Sequence, residues 1–155
     1  MRLLLIIYFL VFCFDSNCQN NLQTKGKLFI IGGGMRSSAV ILKMIETANL
    51  SKTDHIVILP MASEEPDSSY YYIKTQLEKF CNNIIANLNF TPDKINDQQW
   101  LDSLKNAKLI FIAGGDQSRF MKLVLKSPVH NAIYVAYERG STVAGTSAGA
   151  AVMSK

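Results

Sequence analysis

The sequence is short of the groups that most often carry chemistry on their own. Its 155 residues include three cysteines and two histidines. His55 and His130 lie far apart with no cysteine beside either, so no stretch has the spacing of a metal site. Charge is equally sparing: the formal excess is +4, with lysines and arginines scattered and no aromatic residues interleaved among them. That pattern excludes the basic stripe of a nucleic-acid surface. No apolar run is long enough to span a bilayer as a helix. Internal repeats, low-complexity tracts and linkers are absent too, which leaves one domain with one core.

What is there begins with "MRLLLIIYFLVFCFDSNCQN". Arg2 followed by the apolar run Leu3 to Phe14 and the small residues around Ser16 has the form of a signal peptide. Residues 1–18 are expected to be removed before Gln19, which makes the product secreted or periplasmic. Lipid anchoring at Cys18 is disfavoured by Asp15 and Asn17. Cleavage takes Cys13 and Cys18 with it and leaves Cys81 without an internal disulfide partner. Cys81 follows "LEKF" on an expected helix and reads as a half-buried packing residue.

Beyond the leader, apolar runs alternate with amphipathic segments. The runs at 27–33, 55–63 and 108–117 read as strands buried on both faces, with a weaker strand over 84–90 and another leading into Ser147. Helical spacing occupies 37–50, 67–83, 97–107, 118–127 and 128–140, and a further helix opens at Ala148. Ser37 or Ser38 caps the first helix, Asp67 or Ser68 the second, and Pro128 sits in a first turn. Strand and helix alternating with short connections give an α/β fold: a mostly parallel sheet with helices on both faces, an α/β/α sandwich. The chain stops just inside its last helix, so it reads as the N-terminal portion of a longer domain, with an exposed edge strand.

Three strands end in glycine turns, which a parallel sheet gathers along its carboxyl edge, where ligands bind. Gly145-Thr146-Ser147-Ala148-Gly149 fits the G-x-S-x-G nucleophile elbow in its strand–turn–helix context. Ser147 is the expected nucleophile, and the Ala148 amide an expected oxyanion donor. "GGDQ" (114–117) offers a second donor near Gly115 and a side-chain amide at Gln117 for substrate, with Asp116 as a helix cap. "IGGGMR" (31–36) lacks the last glycine of a dinucleotide loop, and no acidic residue ends the second strand. It reads instead as a close-approach turn that brings Gly34 or its neighbours to the site.

Taken together, "GKLFIIGGG", "ILPMASEEP", "LIFIAGGDQSR" and "VAGTSAGAAVMS" resemble the cyanophycinase branch of peptidase family S51, over residues 26–155. "GTSAGA" together with "GGDQ" carries most of that resemblance. It implies the three-layer sandwich of class I glutamine amidotransferases with serine as nucleophile and no cofactor or metal. It also implies hydrolysis beside aspartate, as in cyanophycin cleaved to β-aspartyl-arginine dipeptides. By match to the motifs, Ser147 is the nucleophile, Gly115 and Ala148 the oxyanion positions and Gln117 a substrate contact.

The family's histidine and acid lie downstream of the serine, whereas "AGAAVMSK" after Ser147 holds neither. His55 belongs at the opposite edge of the sheet and His130 on a helix surface. The chain by itself is therefore expected to be inactive or strongly impaired. The competing reading is a non-catalytic domain that binds aspartyl or arginyl peptides or a partner subunit. An α/β-hydrolase esterase fits less well, because Ile31, not histidine, precedes Gly32. Oligomeric state is open.

Overall fold

The computed structural model describes residues 25–154. The expected signal peptide at 1–18 lies outside them. In chain order the elements are β1 (Lys27–Ile31), α1 (Ser38–Ala48), β2 (His55–Leu59), α2 (Pro66–Leu77), β3 (Ile84–Asn87) and α3 (Gln98–Asn106). There follow β4 (Leu109–Ile112), α4 (Gln117–Val124), α5 (Pro128–Glu138), β5 (Thr142–Thr146) and α6 (Ala148–Ala151).

Alternate residues of the central strands enter different cores. Ile56 and Ile58 of β2 and Leu109 and Phe111 of β4 pack with Ile41 and Met44 of α1 and Ile73 and Leu77 of α2. Val57, Leu59, Ile110 and Ile112 pack instead with Leu104, Phe120, Val124 and Val129, from α3, α4 and α5. A strand covered on both faces must be apolar at every position, which is why β2 and β4 read as unbroken runs. Each such side chain withdrawn from water contributes about 1.5–3 kcal/mol.

The sheet has five strands in the order β1-β5-β4-β2-β3, and every pairing is parallel. The chain steps one way across the sheet from β1 through β2 to β3, then back through β4 to β5. Crossovers of a single hand then require α1 and α2 on one face and α3, α4 and α5 on the other. That arrangement is the expected α/β/α sandwich.

Three expectations change. The run at 27–33 was expected to be buried on both faces, but β1 is an edge strand with Ile30 65% exposed and Leu28 47%. Its apolar face borders an open groove of about 340 Å³ whose other walls include Ile133, Tyr137, Val152 and Met153. The second helix starts earlier than its expected caps. Pro66 takes the first turn, Asp67 lies inside it, and Glu65 precedes them without a capping bond. A proline there forgoes only an amide that has no helical partner anyway. That helix also ends at Leu77, so Cys81 lies beyond it, half-buried, with its thiol directed at the Leu77 carbonyl 3.5 Å away. Burial pushes that thiol above its ordinary pKa.

Of the other expected caps, Ser37 and Asp116 each accept a bond from a first-turn amide, and Pro128 opens α5. Asp97 and Ser127 cap α3 and α5 in the same way. Among the described residues no helix is long and apolar enough to cross a membrane.

Candidate active site

Because every strand runs the same way, the turns after β1, β4 and β5 share one edge of the sheet. Ser147 sits there between β5 and α6 with φ 52° and ψ −116°. For a residue with a Cβ this is a sparsely populated region, costing about 1–3 kcal/mol unless neighbours enforce it. They do. The Ser147 amide donates to the Ile31 carbonyl at 3.2 Å, and Thr146 Oγ1 donates to the Gly32 carbonyl at 3.0 Å. On the other side, a Cβ at Gly145 would lie 2.3 Å from the Gly149 carbonyl oxygen, and one at Gly149 would lie 2.2 Å from that of Ile112. The glycines flanking the serine are thus needed for close approach. Thr146 and Ala148 are buried, whereas Ser147 is exposed.

The "GGDQ" turn closes against this elbow. A Cβ at Gly114 would come within 3.4 Å of the Ser147 Cβ. Gly115, at φ 138°, lies so close to the preceding loop that a Cβ would be 2.1 Å from the Ala62 carbonyl oxygen. That oxygen accepts from the Asp116 amide at 2.9 Å and from Arg119 Nη1 at 3.0 Å. Asp116 caps α4 through the Ser118 and Arg119 amides, as its position predicted. Gln117 opens α4 with an exposed side chain. The amides of Gly115 and Ala148 donate to no carbonyl among the described residues.

The turn after β1 differs from its expectation. A Cβ at Gly32, Gly33 or Gly34 would meet nothing within 4 Å, so this is not a close-approach turn. Gly34 is required by conformation instead, at φ 92°. The turn still adjoins the elbow through the Gly32 carbonyl. Just beyond it, Arg36 is half-buried between Tyr72 and Phe111, with centroid distances of 5.2 and 5.6 Å, and its Nε donates to Gln76 Oε1 at 2.9 Å. Burial lowers its pKa. These contacts are all on α2 and on the sheet face beneath it, so Arg36 packs α2 against the sheet.

Neither histidine bonds to Ser147. His55 Nε2 lies 2.9 Å from the Ser103 carbonyl oxygen at the amino end of β2, and His130 packs edge-on against Tyr134 at 5.0 Å. The serine hydroxyl has no side-chain capping bond of its own.

Sequence reasoning missed the loop after β2. Ala62 and Ser63 form the wall behind Gly115, and Ser63 with Glu64 and Arg119 borders a cleft of about 450 Å³. The stretch "ILPMASEEP" carried this loop only as part of the family resemblance, and Pro60, which ends the strand, leaves the following segment free to turn toward the site.

The all-parallel sheet flanked by helices agrees with what comparison finds. The model of peptidase family S51 matches residues 28–155. The chain belongs to peptidase family S51. Cyanophycinases of Trichormus variabilis and of Nostoc sp. are each 31% identical to it over 135 residues, 84% of this chain and 45% of theirs. The chain thus spans about half the length of these curated relatives. Among solved structures, a peptidase from an acI-B1 Actinobacterium superposes with TM-score 0.64 at 20% identity, over 83% of this chain and 56% of that one. A peptidase E-type protein from Listeria monocytogenes EGD-e gives 0.60 at 17% identity, over 83% and 60%. These two likenesses speak for the S51 fold alone.

Proposed function

We propose that this chain carries the nucleophile half of a serine peptidase of the cyanophycinase kind, acting on aspartyl peptides. The observation that carries the reading is Ser147 itself, exposed and held at φ 52° between glycines that tolerate no side chain. Ser147 Oγ attacks the carbonyl carbon beside an aspartyl residue. The oxygen that becomes negative is received by the free amides of Gly115 and Ala148, and the leaving amine departs as the acyl-serine forms. Gln117, one residue past the Asp116 cap, contacts the substrate, and Gly34 borders the same edge.

The attack needs a base to take the serine proton, and both histidines are held elsewhere. In this reading the base comes from outside the described residues, and the chain alone is impaired. Loss of one triad member leaves roughly 10³–10⁴-fold over water in a well-formed serine site. Cyanophycin incubated with the chain is therefore expected to release dipeptide no faster than that, and Ser147→Ala is expected to change this residual rate little, because a serine without its base adds almost nothing to the oxyanion and binding terms. Turnover by the chain alone at an ordinary enzymatic rate, about 1–10³ s⁻¹, overturns the missing base. Turnover at that ordinary rate that survives Ser147→Ala overturns the nucleophile. The unpartnered serine hydroxyl also favours a second reading, binding without cleavage, for which peptide binds and neither protein releases product.

A further inference from the structure

Gly115 is exposed in front, and behind it stands the Ala62 carbonyl. Ala62 is fully buried, and the Ser63 amide donates back to the Pro60 carbonyl at 2.9 Å, so this loop is a firm wall. Two donors meet on the Ala62 oxygen: the Asp116 amide at 2.9 Å and Arg119 Nη1 at 3.0 Å. Both of its lone pairs are thereby used. The amide bond alone would be a pivot about which the 114–116 turn can swing. The second bond comes from a side chain rooted in the first turn of α4, which Asp116 Oδ1 holds through the Ser118 and Arg119 amides. Turn, loop and helix thus form a closed brace, and the Arg119 guanidinium closes it. A bond from a charged donor is roughly twice as strong as a neutral one. Glu64, on the far side of the guanidinium, is 83% exposed and adds one contact at 3.1 Å. An exposed pair of that kind holds little.

We propose that Arg119 is a positioning residue: through the Ala62 carbonyl it fixes the direction in which the Gly115 amide points. The inference rests on the peptidase reading for its purpose and deepens it. A donor stabilises a developing oxyanion to the extent that it is aimed before the reaction starts, because nothing is then spent on turning it. Gly115, at φ 138°, has the backbone freedom of glycine, so its amide keeps a direction only where neighbours impose one. Arg119 stands behind the 62–63 loop and acts on the site through it.

The test is NMR relaxation of the isotopically labelled 155-residue chain, read at the Gly115 and Ala148 amides, with thermal melts of every variant. In the starting protein both amides are expected to be ordered, with an order parameter of about 0.85. Arg119→Gln should drop Gly115 below about 0.6 and leave Ala148 unchanged. Arg119→Lys, whose ammonium can still donate to the Ala62 carbonyl, should restore most of that order. Glu64→Gln should change neither amide. A merely structural Arg119 would lower the melting temperature without singling out Gly115. The proposal is overturned by a Gly115 amide already mobile in the starting protein or by one that stays ordered in Arg119→Gln. It is also overturned if Glu64→Gln loosens Gly115 equally, which gives the role to the ion pair. If Arg119→Gln fails to fold, the order of Arg119 Nε in the starting protein decides: a brace requires it near that of the backbone, and a freely moving guanidinium overturns the proposal. Failure of the peptidase reading shows separately, in turnover at an ordinary rate that survives Ser147→Ala, and leaves these amide readings untouched.

Discussion

Two glycine-rich turns lie side by side on the carboxyl edge and are built for different reasons. Around Ser147 the glycines are dictated by neighbours, with carbonyl oxygens 2.2–2.3 Å from where a Cβ would stand. After β1 the three glycines have open space around them, and only Gly34 needs its residue type, for its φ of 92°. The same letter in the sequence therefore marks a steric requirement in one turn and a conformational one in the next. The first kind holds a reactive group in place, and the second lets the chain change direction.

The difference can be tested by substitution, read as free energy from urea unfolding. Gly149→Ala should cost on the order of 3–4 kcal/mol, because its Cβ meets backbone of β4 and its exit, which cannot step aside. A cost below about 1 kcal/mol would mean that the elbow yields as easily as the open turn. Gly34→Ala should cost about 1–2 kcal/mol from conformation alone, with no clash to relieve. Ser147→Gly should move the other way, stabilising by about 1 kcal/mol as the strained φ becomes permissible, less the added freedom of the unfolded chain. Stability unchanged there would place the elbow's strain in the packing rather than in the serine. Gly33→Ala should stay within about 0.5 kcal/mol of the starting protein.

Much of this edge was legible in advance. The apolar runs into "GGDQ" and "GTSAG" announced β4 and β5 because strands covered on both faces have no polar alternation, and Asp116 announced its cap. The run into "GGG" looked the same, yet β1 is an edge strand. Composition reports how apolar a strand is, and the neighbours that cover it come from elsewhere in the fold. Pro66 displaced Asp67 as the start of α2 because a fixed φ outweighed a polar cap. The link from Arg119 to the Ala62 carbonyl was invisible, since it joins residues 57 apart in sequence and depends on β2 and β4 being neighbours.

The bond between Thr146 and the Gly32 carbonyl joins residues 114 apart. Closing so long a loop is entropically costly and slow, and pairings of this range tend to form late in folding. The strained serine is thus a late arrival: it cannot exist in a nascent or half-folded chain, where Ser147 is one ordinary hydroxyl among many. The strained turn therefore marks the point at which β1 and β5 have met across a loop of that length.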